Sequence, residues 1–160
     1  MTNAITIWII CPAMLAVLVG GAISSAQAQV VNFEGTIVPA CVLTPTDGNM
    51  AINASGTVVG SEESGGTAAS LSVASTGGTA TVAFSAPTLA AKPVAYTRTP
   101  TLSLRYTSPG GAAQAYTSSS SQYTSTNPLS DVITLHAKAT DAAGFVAGTY
   151  RIATTATCSQ

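Results

Sequence analysis

The first candidate for chemistry is the single histidine of the sequence, His136, because histidine is the commonest general acid or base in enzymes. Asp131 precedes it, Asp141 follows it, and the chain is rich in serine, so a Ser/His/Asp set can be drawn. However, the sequence has no Gly-x-Ser-x-Gly step, and nothing distinguishes one serine from the others. We therefore expect no enzyme activity, and we interpret His136 as a solvent-facing strand residue beside Lys138.

Metal binding is the second kind of chemistry to consider. Asp47-Gly48-Asn49 resembles part of a calcium loop, but the other acidic ligands are absent, and this tripeptide between apolar stretches is typical of a turn. Glu62 and Glu63 lie in a Gly/Ser-rich stretch, which we interpret as a solubilising loop tip. Two cysteines alone cannot complete a zinc site. We expect neither a metal nor a cofactor.

The N-terminal region predicts export. Residues 5–22 form an apolar run, and Ala26-Gln27-Ala28 fits the small-x-small pattern that precedes signal cleavage. We predict a signal peptide over residues 1–28 and one domain over 29–160; a retained transmembrane anchor is the alternative, since the run approaches spanning length. Cys11 would leave with the signal. The protein would then lie in the periplasm, at the cell surface or in an extracellular fibre.

The composition excludes several classes of partner. Charged residues make up 7% of the chain, against about 25% in an ordinary soluble domain. They are scattered, the formal net charge is −1, and no basic stripe exists, so we expect no nucleic acid partner. Abundant Ser, Thr, Ala and Gly in place of charge are typical of a secreted β protein.

Several stretches alternate between apolar and polar residues with the period of two that marks a half-buried strand. They are VVNFEGTIVPAC (30–41), SLSVAS (70–75), TATVAFSA (79–86), TLSLRYTS (101–108), DVITLHAKAT (131–140) and GTYRIATTATC (148–158). Turn-forming residues separate them, and no helical period is sustained outside the predicted signal. The pattern predicts an all-β, antiparallel sandwich or barrel.

The segment 115–128 is of low complexity, and we predict a long exposed loop there, with a weak edge strand as the alternative. Tyr116 and Tyr123 within it are candidate ligand-binding residues, because tyrosine rings stack on sugar faces.

Cys41 and Cys158 are the two cysteines that remain after signal removal. Each lies on the apolar face of a predicted terminal strand, so both sulfur atoms are expected to point inward. We predict a disulfide between them, because the cysteines of an exported protein with an even cysteine count are usually paired. Two unpaired thiols and an intermolecular bridge are the alternatives.

The two ends of the chain resemble a known family. VNFEGTIVPACVL (31–43) is similar to the opening strand of chaperone–usher pilins, and FVAGTYRIATTATC (145–158) is similar to the closing strand of spore coat protein U-like pilins. The resemblance implies an all-β, antiparallel immunoglobulin-like (pilin-like) sandwich, which lacks one strand and receives it from a neighbouring subunit. The expected strand-complementation edge comprises Val31, Phe33, Ile37, Tyr150 and Ile152. The implied partners are copies of itself or related subunits, a periplasmic chaperone and an outer-membrane usher.

Two departures from the family pattern accompany this resemblance. The predicted mature chain begins almost at its first strand, so the subunit is expected to accept a strand but not to donate one. Family disulfides usually join the first strand to one nearby in sequence, whereas the only partner here is at the far end. A fibre or coat subunit is therefore the leading hypothesis, and a self-complete secreted adhesion or carbohydrate-binding module is the alternative.

Overall fold

A computed structural model of the chain describes residues 32–36, 38, 40–76, 78–125 and 130–160. The chain divides into two compact units, Met1–Glu34 and Gly35–Gln160. Of the first, residues 32–34 are described, and they are exposed chain without regular structure. The predicted signal peptide, Val31 and Ile37 lie outside the described residues. All that follows on the fold concerns the second unit.

The described residues form twelve β-strands, pair only in the antiparallel sense, and include no helix that could cross a membrane. The strands are β1 (Ala40–Thr46), β2 (Ala51–Ile52), β3 (Val58–Gly60), β4 (Ala69–Thr76), β5 (Thr81–Phe84), β6 (Thr88–Ala91), β7 (Thr101–Thr107), β8 (Ala113–Thr117), β9 (Ser121–Thr124), β10 (Ser130–Thr140), β11 (Arg151–Ala153) and β12 (Ala156–Ser159). The all-β, antiparallel prediction is confirmed.

The largest sheet has seven strands built around β10, the longest strand. β4 pairs with the first half of β10 and β3 with its end, while β7 pairs along the opposite side. β1 extends the sheet beyond β4, β2 extends it beyond β3, and β8 extends it beyond β7. Alternate residues of β4 and β10 are buried, as their period of two predicts.

A second sheet has the strand order β12-β5-β9, and a third contains β11 and β6. The inner faces of the first two sheets pack together, because apolar residues of both contribute to one core. Phe84 of β5 and Tyr106 of β7, for example, have ring centroids 4.7 Å apart. The main core residues are Leu71, Val73, Ala80, Val82, Phe84, Leu104, Tyr106, Ala112, Ile133 and Leu135.

The first strand begins later than its alternating sequence predicts. Residues 32–36 have no regular structure, and Phe33 is 94% exposed. The partner strand explains the boundary, because β4 ends at Thr76, which pairs with Ala40. An alternating sequence forms a strand only where a neighbouring strand accepts its hydrogen bonds, and a Gly-Gly step follows Thr76.

The segment 115–128 contains more strand than the predicted loop with one weak edge strand, since both β8 and β9 are edge strands. Tyr116 lies in β8 and Tyr123 in β9, and only Ser118–Ser120 separate the two strands. Thr, Tyr and Gln side chains suit a pleated surface when neighbouring strands accept their backbone hydrogen bonds. Conversely, the single strand predicted over residues 148–158 forms two strands, because Thr154 and Thr155 separate β11 from β12.

Candidate functional site

A cavity of about 990 Å³ opens on one side of the core. Four core residues form its floor: Leu71, Phe84, Leu104 and Leu135. One wall is the end of β1 together with the segment that leads to β2 (Pro45–Ile52), and the other is the segment Phe145–Thr154, which contains β11. A volume at the upper end of the range of ligand sites, with an apolar floor, makes this the first candidate binding site.

The strands that border this cavity have free edges within the described part of the chain. β1 pairs with β4 alone, and β11 pairs with β6 alone. Such an edge presents unpaired backbone N–H and C=O groups, which are able to accept another strand. Tyr150 and Ile152, expected at a strand-complementation edge, both line the cavity and are half-buried.

A disulfide joins Cys41 of β1 to Cys158 of β12, with their Cα atoms 6.1 Å apart. Both cysteines are half-buried and pack against the core. Nearby, the Gln160 side-chain amide donates to the Ala40 carbonyl over 3.0 Å. The two strands are edge strands of different sheets, so the bond holds those sheets together on the side that carries the cavity wall of β1.

An aromatic cluster supports the other wall of the cavity. Phe145 and Tyr150 pack edge to face at 5.2 Å, and both contact the fully buried ring of Tyr96. The Tyr150 hydroxyl donates to the Val146 carbonyl over 2.9 Å. The segment 145–150 has no regular structure, so these contacts are what fix its position.

A carboxylate anchors the same cluster from outside. Asp141 accepts hydrogen bonds from the Tyr96 hydroxyl and from Arg98 Nε, each at 2.6 Å. These two hydrogen bonds lower the pKa of Asp141 to about 2, and the bond from Tyr96 has the larger effect. Burial and the bond to Asp141 raise the pKa of Tyr96 to about 12. The group therefore stays in one protonation state across ordinary conditions, as suits an anchor rather than a catalyst.

Asp131 is a second anchor and is 6% exposed. It accepts from the hydroxyls of Ser108 and Tyr123 at 2.6 and 2.8 Å, and from the Gly110 and Val132 backbone N–H groups at 3.0 and 2.9 Å. Although burial opposes ionisation, these hydrogen bonds lower the pKa of Asp131. Burial and the bond to Asp131 raise the pKa of Tyr123. The Tyr123 hydroxyl therefore donates its hydrogen bond within the protein, to Asp131.

Tyr116 belongs to a polar cluster on the outer face of the large sheet. Its hydroxyl donates to Glu62 over 2.5 Å, and Lys138 Nζ lies 3.9 Å from the ring centroid. Arg105 forms an ion pair with the same glutamate. The pKa of Glu62 is lowered, first by the hydrogen bond from Tyr116 and then by Arg105, although burial acts in the opposite direction. The pKa of Tyr116 is raised to about 12, first by burial and then by its hydrogen bond to Glu62. Glu62 therefore ties a turn to the sheet, whereas the sequence suggested a free loop tip.

His136 is half-buried, and its Nδ1 lies 3.2 Å from the Ser61 hydroxyl, which also accepts from the Ala137 backbone N–H. The Ser61 hydroxyl can donate to His136 Nδ1 or accept from it, depending on the tautomer of the ring. In the described residues, no three His, Cys, Asp or Glu side chains converge as metal ligands would. Asp47 to Asn49 line the cavity instead, where Asn49 bridges to Thr67.

The sequence pattern did not reveal the cavity. Tyr150 and Ile152 carried a signal through their alternation, but in the other wall only Asp47-Gly48-Asn49 was interpreted, as a turn. No protein-family model, curated protein or solved structure matches this chain, so the cavity and its bordering strands are what its function must be inferred from.

Proposed function

We propose that this chain is an exported structural subunit of a surface fibre or coat that assembles by β-strand complementation. The observation that carries the proposal is the cavity of about 990 Å³, which reaches the apolar core between two strands with free edges. A small molecule would leave the free edges of these strands without partner strands. An extended strand would use the floor for alternate side chains and the free edges for main-chain hydrogen bonds.

The proposed architecture is an immunoglobulin-like sandwich that lacks a strand. The hydrogen bond from Tyr150 to Val146 supports it, since a tyrosine near the start of a late strand, bonded to backbone a few residues upstream, is typical of immunoglobulin-like domains. The Cys41–Cys158 disulfide supports an oxidising, exported location.

The donor strand, in this proposal, comes from the chain that precedes β1. The expectation that the subunit cannot donate depended on a first strand that began near Val30, whereas β1 begins at Ala40. The intervening sequence, VVNFEGTIVP (30–39), alternates apolar residues with polar ones. Two of its described apolar side chains are exposed, with Phe33 94% and Val38 71% accessible to solvent.

Such an arrangement makes a filament, because the donor segment of one copy enters the cavity of the next and the contact never closes on itself. Until a donor arrives, the cavity leaves core surface open to solvent. The family resemblance adds a periplasmic chaperone that covers the cavity and an outer-membrane usher that exchanges it for a donor as the proposed partners.

The test is a gel of the exported protein, run with and without boiling. We expect a ladder in the unboiled sample that collapses on boiling, because strand exchange is non-covalent. Phe33→Asp should abolish the ladder by placing a charge where the donor meets an apolar floor. Ala137→Leu should weaken it by filling the acceptor, since Ala137 lines the cavity.

Glu34→Gln is the matched control, because Glu34 is the polar neighbour of Phe33. It should leave the ladder intact. A single monomer band from the unchanged protein, or ladders of equal length from Phe33→Asp, would contradict the proposal.

The alternative, a self-complete adhesion module that uses Tyr116 and Tyr123, has less support. Both hydroxyls are bonded to carboxylates within the chain, and Lys138 lies over the Tyr116 ring.

A further inference from the structure

Lys138 lies on the outer face of the large sheet, where β3, β10 and β7 run side by side. It pairs with Gly60 of β3 on one side and with Ser103 of β7 on the other. Its neighbour Ala137 lines the cavity, so the Lys138 side chain belongs to the opposite face of the sheet. Because both cross-strand partners are small, the lysine is not enclosed by bulky side chains on either side.

The ammonium group of Lys138 is held in place but is not neutralised. The side chain is half-buried, and Nζ lies 3.9 Å from the ring centroid of Tyr116. Within the described residues, this group makes neither a hydrogen bond nor an ion pair. Arg105 pairs with Glu62, so their charges offset each other and the charge of Lys138 is left over. A half-buried cation without an anion is costly, and a bound anion would relieve that cost.

Ser103 supplies a second group without a partner, directly beside Lys138. It is 9% exposed, and its hydroxyl makes no hydrogen bond to any described residue. That hydroxyl still reaches solvent, because in the described part of the chain only Ser121 has a fully enclosed side-chain polar atom without a partner. Lys138 Nζ and Ser103 Oγ are therefore two neighbouring hydrogen-bond donors that a ligand oxygen can reach.

The next row on the same face is neutral and carries hydroxyl groups. Thr101 pairs with Thr140, both are exposed, and neither hydroxyl has a hydrogen bond within the described ranges. A hydroxyl both donates and accepts, so this row suits a ligand that carries hydroxyl groups itself. One uncompensated cation suits one carboxylate, whereas an acidic peptide would bring several.

We propose that Lys138 and Ser103 bind the carboxylate of a uronic acid sugar, whose ring hydroxyls meet Thr101 and Thr140. Lys138 supplies the charge, and the Ser103 hydroxyl donates to a carboxylate oxygen. Because this sugar site and the cavity lie on opposite faces of the sheet, a monomer and a fibre subunit would both offer it.

The test is a titration of the exported protein with sodium glucuronate, followed by two-dimensional NMR. We expect saturable binding, with the largest shifts around Lys138 and Ser103. Glucose, which lacks the carboxylate, and acetate, which lacks the ring, should each bind about tenfold more weakly. Lys138→Met keeps the stem but removes the charge and should weaken glucuronate binding about tenfold. Ser103→Ala should weaken it several-fold and guards against a folding defect in the first variant.

The matched control is Lys92→Met. Lys92 also lies beside a tyrosine ring, 5.6 Å from that of Tyr96, but it is exposed and donates to the Arg98 carbonyl. This variant should bind glucuronate as the unchanged protein does. The proposal would be overturned by absent or non-saturable binding, by equal binding of glucose or acetate, or by undiminished binding in Lys138→Met and Ser103→Ala. Tighter binding of a tetraglutamate peptide would also overturn it, in favour of an acidic protein partner.

Discussion

Cys41 and Cys158 lie 117 residues apart in the sequence and are joined by a disulfide between an edge strand of one sheet and an edge strand of another. The bond encloses nearly all of the described strands in one covalent loop. It also connects β12, which contributes Ala156 to the cavity lining, to β1, which forms part of the cavity wall. The disulfide therefore joins two of the strands that contribute residues to the cavity lining.

Removal of this disulfide should strongly destabilise the protein. Cys41→Ser with Cys158→Ser frees a loop of more than 100 residues in the unfolded chain, and the chain-entropy model assigns about 4–5 kcal/mol to such a closure. Urea unfolding of the variant against the oxidised protein measures the loss. The reduced unchanged protein is the control and should match the variant. Equal midpoints for the oxidised protein and the variant would contradict this role.

Asp141 should make the protein sensitive to acid. Its pKa is lowered to about 2 in the folded state, against about 3.9 in an unfolded chain, so its contribution to stability is complete above pH ~4. That contribution is lost as the pH falls from about 4 to about 2. Asp141→Asn should be less stable at pH 7 and should lose less stability over that interval. Melting temperatures at pH 7, 4 and 2.5 test this; parallel curves for the two proteins would exclude it.

Gly110 should tolerate no side chain. A Cβ atom built there would overlap the carboxylate of Asp131, which is buried and holds the Gly110 N–H by a 3.0 Å hydrogen bond. Gly110→Ala must displace one of them, with an expected cost of about 1–3 kcal/mol in unfolding free energy. Gly35→Ala is the control, since no atom lies within 4 Å of its added Cβ. Similar denaturation midpoints for both variants would show that the contact is not limiting.

Tyr150→Phe should separate the hydrogen bond of Tyr150 from its packing. The change removes the donor to the Val146 carbonyl but keeps the ring contacts with Tyr96 and Phe145. We expect a loss of about 1 kcal/mol. Tyr150→Leu should cost more, because it also removes the aromatic contacts. Denaturation of both variants decides the point, and an unchanged Tyr150→Phe midpoint would mean that water replaces the lost bond without penalty.

Tyr116 shows which inferences from sequence were limited by context. Its segment has the composition of a loop. Nothing in the local sequence indicates that β7 pairs with residues 113–117, or that Glu62 accepts a hydrogen bond from the Tyr116 hydroxyl. Strand formation there depends on a partner distant in sequence, and composition does not encode that partner. Phe33 shows the reverse error, since its alternation is ideal for a strand but the partner strand ends at Thr76.

The sequence alone was sufficient for the features that depend on local pattern and on counting. Period-two alternation indicated the all-β class and the buried faces of β4, β7 and β10, and the cysteine count indicated the bond between Cys41 and Cys158. Only the tertiary structure showed where β1 begins and which groups donate hydrogen bonds to Asp131. It also showed that a cavity lies between β1 and β11. The reason is physical: strand pairing and cavities arise from residues far apart in the chain, whose register is set by the whole fold rather than by any one segment.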